Sequence, residues 1–128
     1  MIVDTSAVLA MLFSEPEAER FEDALAANWP RRMSVANVLE ATMVAESRGG
    51  AAVGQALERQ LERAEIELVP VTVEQMQAAR RAWRRFGRGN HPAALNFGDC
   101  FAYALAETTG ETLLYKGEDF ARTDVKAG

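Results

Sequence analysis

The chain opens on Met1-Ile2-Val3-Asp4, three apolar residues ending in an acid, and no other feature restricts its fold as strongly. A run that is apolar at every position suits a short parallel strand buried on both faces. Parallel strands need crossovers, and the sequence supplies helical stretches between its apolar runs. Thr5-Ser6 starts one through AVLAMLF. A second helix is expected from about Pro16 to Asn28, with Phe21, Ala24 and Leu25 on one face and Trp29-Pro30 closing it. RRMS reads as a second strand, after which Ser34 caps a helix that runs to the Gly49-Gly50 stop. A further helix, AAVGQALERQLERA, precedes IELVPV, the clearest strand after the first by its β-branched content. Thr72, with Gln75 three residues on, has the pattern of a capping box and opens an arginine-rich helix ending near Gly87. RGNHPAAL is a loop by its Gly, Asn and Pro content. Asn96 or a neighbour caps the helix FGDCFAYALAETT, which places Asp99 in its first turn and Gly110 at its end. ETLLYK reads as a strand, GEDFARTDV as a turn or short helix carrying Asp119, and a last small strand is expected near the end.

This alternation predicts a three-layer α/β architecture, a central mostly parallel sheet flanked by helices, over residues 1–128 as one domain. In such sheets ligands bind beyond the carboxyl ends of the strands. Asp4 and Asp119 follow strands directly, whereas Glu40 and Asp99 enter from helices, and the assembled fold would bring all four to one edge. Asn37 shares a helix face with Glu40, three residues away.

Hard divalent cations prefer oxygen ligands, and acids that repel one another in an empty cleft become tolerable around a metal. Mg²⁺ or Mn²⁺ is therefore the expected ion. With divalent ions bound, such a site can activate water and stabilise charge on a phosphodiester during hydrolysis. Each acid also has a plainer reading among nineteen Asp and Glu. An acid ending an apolar strand before Thr5-Ser6 is hard to explain by solvation. Glu40, set among Val38, Leu39, Ala41 and Met43, needs a cleft or a partner. Asp99 would equally favour a helix dipole, and Asp119 has Glu118 as an immediate competitor.

Several chemistries are excluded. His91 is the sole histidine, which rules out a paired-histidine ribonuclease and a multi-histidine zinc site; it reads as a loop residue or a substrate-contacting side chain rather than a metal ligand. Cys100, the sole cysteine, permits no intramolecular disulfide or thiolate cage and reads as buried core. No Gly-rich phosphate loop is present. An aspartyl phosphatase would carry a second acid two residues after the first, where Ser6 stands, and a receiver module an acid that IELVPV lacks.

No apolar run approaches the ~20 residues of a membrane span, and no basic region precedes the apolar start, so a cytoplasmic protein without membrane contact is expected. The net charge of −5 opposes a polyanionic partner on average. Locally, RRAWRRFGR from Arg80 to Arg88 carries five arginines and no acid, and Arg80, Arg84 and Arg88 are the candidate contacts to a phosphate backbone; a merely solvated helix face is the alternative.

Taken together, MIVDTSAVLAML, VLEATMV around Glu40, LNFGDCFAYALAETTG around Asp99 and LLYKGEDFARTDV resemble a PIN-domain ribonuclease of the VapC toxin type, over essentially the whole chain. The resemblance implies a PIN-like fold and hydrolysis of RNA with Mg²⁺ or Mn²⁺. It further implies silencing by a VapB antitoxin, and a homodimer whose active sites share a groove. By position, Asp4 and Asp99 correspond to the principal metal ligands, Glu40 to a further ligand or water-positioning acid, and Asp119 to the fourth acid. Thr5 and Ser6 correspond to the hydroxyl pair that orients the first acid or the scissile phosphate. The other readings are an RNA-processing nuclease of the same fold without an antitoxin, and a non-catalytic RNA-binding or protein-interaction module.

Overall fold

A computed structural model describes residues 1–128. Four short strands, β1 (Ile2–Val3), β2 (Arg32–Ser34), β3 (Glu67–Val69) and β4 (Leu113–Leu114), form one sheet in the order β3-β2-β1-β4. Every pairing is parallel: Ile2 stands beside Arg32 on one side and Leu113 on the other, and Arg32 to Ser34 pair with Glu67 to Val69. The helices are α1 (Thr5–Leu12), α2 (Ala18–Ala26), α3 (Val35–Gly49), α4 (Ala51–Arg63), α5 (Val73–Phe86) and α6 (Phe97–Thr109). A 3₁₀ turn covers Phe120–Arg122.

Successive strand residues face opposite sides of a sheet, and the buried residues divide accordingly. Val3, Met33 and Leu114 meet α1 to α4 through Val8, Phe21, Leu25, Leu57 and Leu61. Ile2 and Leu113 meet α5 and α6 through Ala78, Ala82, Phe86, Ala102 and Leu105. Ile2, Val3, Leu113 and Leu114 are essentially shielded from water, each such side chain contributing about 1.5–3 kcal/mol by burial. The alanines of α5 and α6 let these helices pack closely, and they form the most extensive helix pair. No helix is long and apolar enough to cross a membrane.

Several local expectations are met atom by atom. Ser34 accepts from Ala36 N, Thr72 from Gln75 N, and Asn96 exchanges hydrogen bonds with Asp99 in a full capping box. Gly110, at φ 71°, ends α6 in the left-handed region that favours glycine. Other elements are shorter than their sequence patterns. The second helix spans Ala18–Ala26 rather than Pro16 to Asn28, since Glu17 and Ala27 are its flanking caps. IELVPV contributes only Glu67–Val69, because β3 is an edge strand with Leu68 half exposed. ETLLYK contributes only Leu113–Leu114, and the last strand is a single parallel bridge between Leu113 and Ala127.

The terminal segment is pinned to the α5–α6 layer. Asp124 accepts from the Tyr103 hydroxyl and from Arg85 at 3.0 Å.

Candidate metal centre

At the carboxyl end of the central strand, Asp4 caps α1. Its Oδ2 accepts from the backbone N of Ser6 at 3.0 Å and from the Ser6 hydroxyl. Ser6 Oγ in turn accepts from Lys116 N at 2.9 Å, which ties the segment after β4 to the first acid. The other carboxylate oxygen, Asp4 Oδ1, is buried and has no hydrogen-bond partner. Thr5 Oγ1 donates to the Asn37 carbonyl at 3.1 Å, joining α1 to α3.

Asn37 is fully buried and holds the crossing of α3 and α6. Its Nδ2 donates to the Gly98 carbonyl at 2.9 Å and reaches Glu40 Oε1 at 3.4 Å. The Glu40 carboxylate lies directly over Gly98: a Cβ built there would stand 2.0 Å from Glu40 Oε2. Glycine before Asp99 is therefore what lets an α3 carboxylate approach the first turn of α6. Asp99 sits in that turn with Oδ2 accepting from Asn96 N at 3.0 Å. Asp119 opens the 3₁₀ turn and is exposed.

Asp4 and Asp99 both hold their protons unusually tightly. Burial pushes Asp4 up to about 6, against the lowering effect of Ser6, and the Glu40 charge adds to the rise. Burial likewise pushes Asp99 up to about 7, and the charges of Asp4, Asp119 and Glu40 raise it further. The other three acids thus act on Asp99, each from a different chain segment. Their oxygens are not already grouped as a ready-made cage of three. Asp4, Glu40 and Asp99 are each held by a partner of their own, Ser6, Asn37 and Asn96 respectively.

A donor set made of carboxylate oxygens, one of them buried without a partner, with two carboxyls driven up by burial and further by their neighbours' charges, fits a hard divalent cation. Asn37 and Gly98 are the site residues whose roles sequence reasoning missed. The three-residue spacing of Asn37 and Glu40 was the available signal for one; nothing local distinguished Gly98 from a packing glycine.

The remaining candidates make no hydrogen bond or ion pair with the four acids. Arg81 and Arg85 of the arginine run are engaged by Glu107 at 3.9 Å and Asp124 at 3.0 Å, which leaves Arg80, Arg84 and Arg88 without an ion pair. His91 accepts from Ala93 N through Nδ1 and packs edge-on against Phe86 in its loop. Burial raises the Cys100 thiol to about 11, which suits core rather than nucleophile.

A parallel sheet with acids from several segments facing one another at its carboxyl edge is the build of a metal-dependent hydrolase. The PIN domain family model matches residues 1–126. Ribonuclease VapC30 of Mycobacterium tuberculosis is 51% identical over 125 residues, 98% of this chain and 95% of the relative. Ribonuclease VapC of Mycolicibacterium smegmatis is 51% identical over 127 residues, 99% of this chain and 98% of the relative. Among solved structures, M. tuberculosis VapC20, described as a sarcin-ricin loop cleaving toxin, superposes with a TM-score of 0.76 at 16% identity, covering 97% of this chain and 95% of that one. A chain of a toxin-antitoxin complex from Klebsiella pneumoniae gives 0.71 at 18% identity, covering 96% and 92%. The chain belongs to the PIN-domain family, among its VapC ribonucleases.

Proposed function

We propose that this protein is a toxin endoribonuclease that hydrolyses RNA phosphodiester bonds with a divalent cation and is neutralised by a VapB-type antitoxin. The observation that carries the reading is Asp4 Oδ1, a buried carboxylate oxygen without a partner, facing the charges of Glu40 and Asp99 at the end of the central strand. Asp4, Glu40, Asp99 and Asp119 would hold the ion, and Mg²⁺ or Mn²⁺ suits their all-oxygen donors. When bound, the ion supplies an activated water and charge stabilisation at the phosphate.

The protein's own part is positioning. Ser6 occupies Asp4 Oδ2 and leaves Oδ1 free; Asn37 and Gly98 set Glu40; Asn96 holds Asp99 through the capping box. Thr5 contributes through the α1–α3 tie. Arg80, Arg84 and Arg88, free of acid partners, attract the RNA backbone. Residues 1–128 act as one cytoplasmic domain, and two copies pair through α3, where Val35, Leu39 and Met43 form an exposed apolar stripe at helical spacing.

The test is incubation of purified protein with total RNA and Mg²⁺ or Mn²⁺, beside an EDTA control and Asp4→Asn, with fragment ends mapped by sequencing. Discrete metal-dependent cuts that vanish in Asp4→Asn are expected; the same fragments from the variant would refute the assignment.

A further inference from the structure

Next to the acidic centre, α5, α6 and the loop between them enclose an open groove of about 480 Å³, in the range of small-ligand sites. Its walls are Met76, Trp83, Phe97 and Phe101, and its charged residues are Arg80 and Arg88. Three properties distinguish it. First, aromatic surface is presented to solvent: Phe97 is 81% exposed and Trp83 49%, although burial is the usual fate of such rings. Second, none of the ten lining residues is acidic, in a chain of net charge −5. The two guanidinium groups lack acid partners, whereas Arg81 and Arg85 on the adjoining face have them. Third, the groove shares the start of α6 with the metal centre: Asn96 and Phe97 line it, and Asn96 is the capping partner of Asp99.

We infer that this groove is the binding site for one unstacked base of the RNA substrate, beside the phosphate presented to the acids. The inference rests on the ribonuclease reading above. Protein recognition of single-stranded RNA uses aromatic faces to stack splayed-out bases and cations to hold the flanking phosphates. Trp83 and Phe97 supply the rings, and Arg80 and Arg88 the positive charge. A purely apolar occupant would leave both guanidinium groups without a counter-charge. Asn90 steadies the arrangement, its Nδ2 donating to the Trp83 carbonyl at 3.1 Å. Trp83 and Phe97 are thus substrate-binding residues, acting on how tightly the base is seated rather than on the chemistry.

Trp83 is also a reporter. The chain has two tryptophans, so Trp29→Phe leaves Trp83 as the sole emitter. In EDTA, which prevents cleavage, ribohexanucleotides should quench its emission, and abasic hexamers of equal length and charge should not. With Mg²⁺, Trp83→Ala should raise KM about tenfold with little change in kcat, and Trp83→Phe should restore it. Both side chains are largely exposed, so the variants keep the fold. Equal quenching by abasic hexamers would overturn the inference, as would unchanged KM in Trp83→Ala while the wild type cleaves RNA. Emission that shifts to the blue with protein concentration, without response to RNA, would assign the groove to a second copy of the chain. A wild type that cuts no RNA would instead remove the ribonuclease reading, which separates the two failures.

Discussion

The two ends of the sheet treat charge in opposite ways. At the amino end the Met1 ammonium meets Glu111 at 2.9 Å, Glu111 meets Arg32 at 2.9 Å, and Arg32 meets Glu67 at 3.1 Å. Every charge there has an opposite, and contacts with the ammonium and Arg32 hold Glu111 below the usual carboxylate range despite partial burial. At the carboxyl end Asp4 and Asp99 are driven up by burial and by the charges of neighbouring acids, with no basic side chain among the causes. Compensated charge anchors a structure; uncompensated charge at the other end of the same strands awaits a cation from solution.

The sharpest way to break this contrast is Asp99→Asn. It should lower RNA cleavage by about 100-fold or more while leaving the ion-free fold at least as stable, because one repelling carboxylate is gone. Single-turnover cleavage and an EDTA melting curve check both halves; a variant that fails to fold would make Asp99 structural.

Gly98→Ala should have the next largest effect. The added methyl meets the end of the flexible Glu40 side chain, so the carboxylate must shift while the backbone stays. Cleavage falls by about 10- to 100-fold through misplacement alone. Near-native circular dichroism with wild-type rates would show that Glu40 need not lie there.

At the opposite end, Glu111→Gln should cost about 1–3 kcal/mol of stability, since it weakens the pairing of a largely buried ammonium, and leave cleavage unchanged. Chemical denaturation measures the first and the RNA assay the second.

The smallest effect is in pH. Asp4 and Asp99 bind their protons more tightly folded than unfolded, so their contribution to stability is greatest in acid and is lost as pH rises through about 6 and 7. Without metal, the melting temperature should therefore fall between pH 5.5 and 8. Mg²⁺ should restore it at pH 8 and do little at pH 5.5; a flat ion-free profile would show that neither carboxyl is raised in the folded protein.

The difference between the ends also explains what was legible in the sequence. Asp4 could be found because an acid closing an apolar strand is a local anomaly. Asn96 with Asp99, Ser34 and Thr72 could be found because helix caps are written within a few residues. The strand order β3-β2-β1-β4 and the shortness of each strand were not, since both depend on which segments meet across the sheet. Asn37 and Gly98 lie sixty-one positions apart, and their bond exists only where α3 crosses α6. The arginine run shows the same limit: its five members look alike in sequence, yet Glu107 and Asp124 claim two of them from α6 and the terminal segment.

The placement of β1 has a consequence for biosynthesis. Of the four strands, the one made first is an inner strand of the sheet, and one of its edges stays open until Leu113 and Leu114, the last of the four, arrive beside it. Only then can Lys116 reach Ser6 and bring Asp119 toward the residue made more than a hundred peptide bonds earlier. A nascent chain still lacking these residues cannot make the tie to Ser6, so the carboxyl edge of the sheet is completed only when nearly all of the described chain has been polymerised.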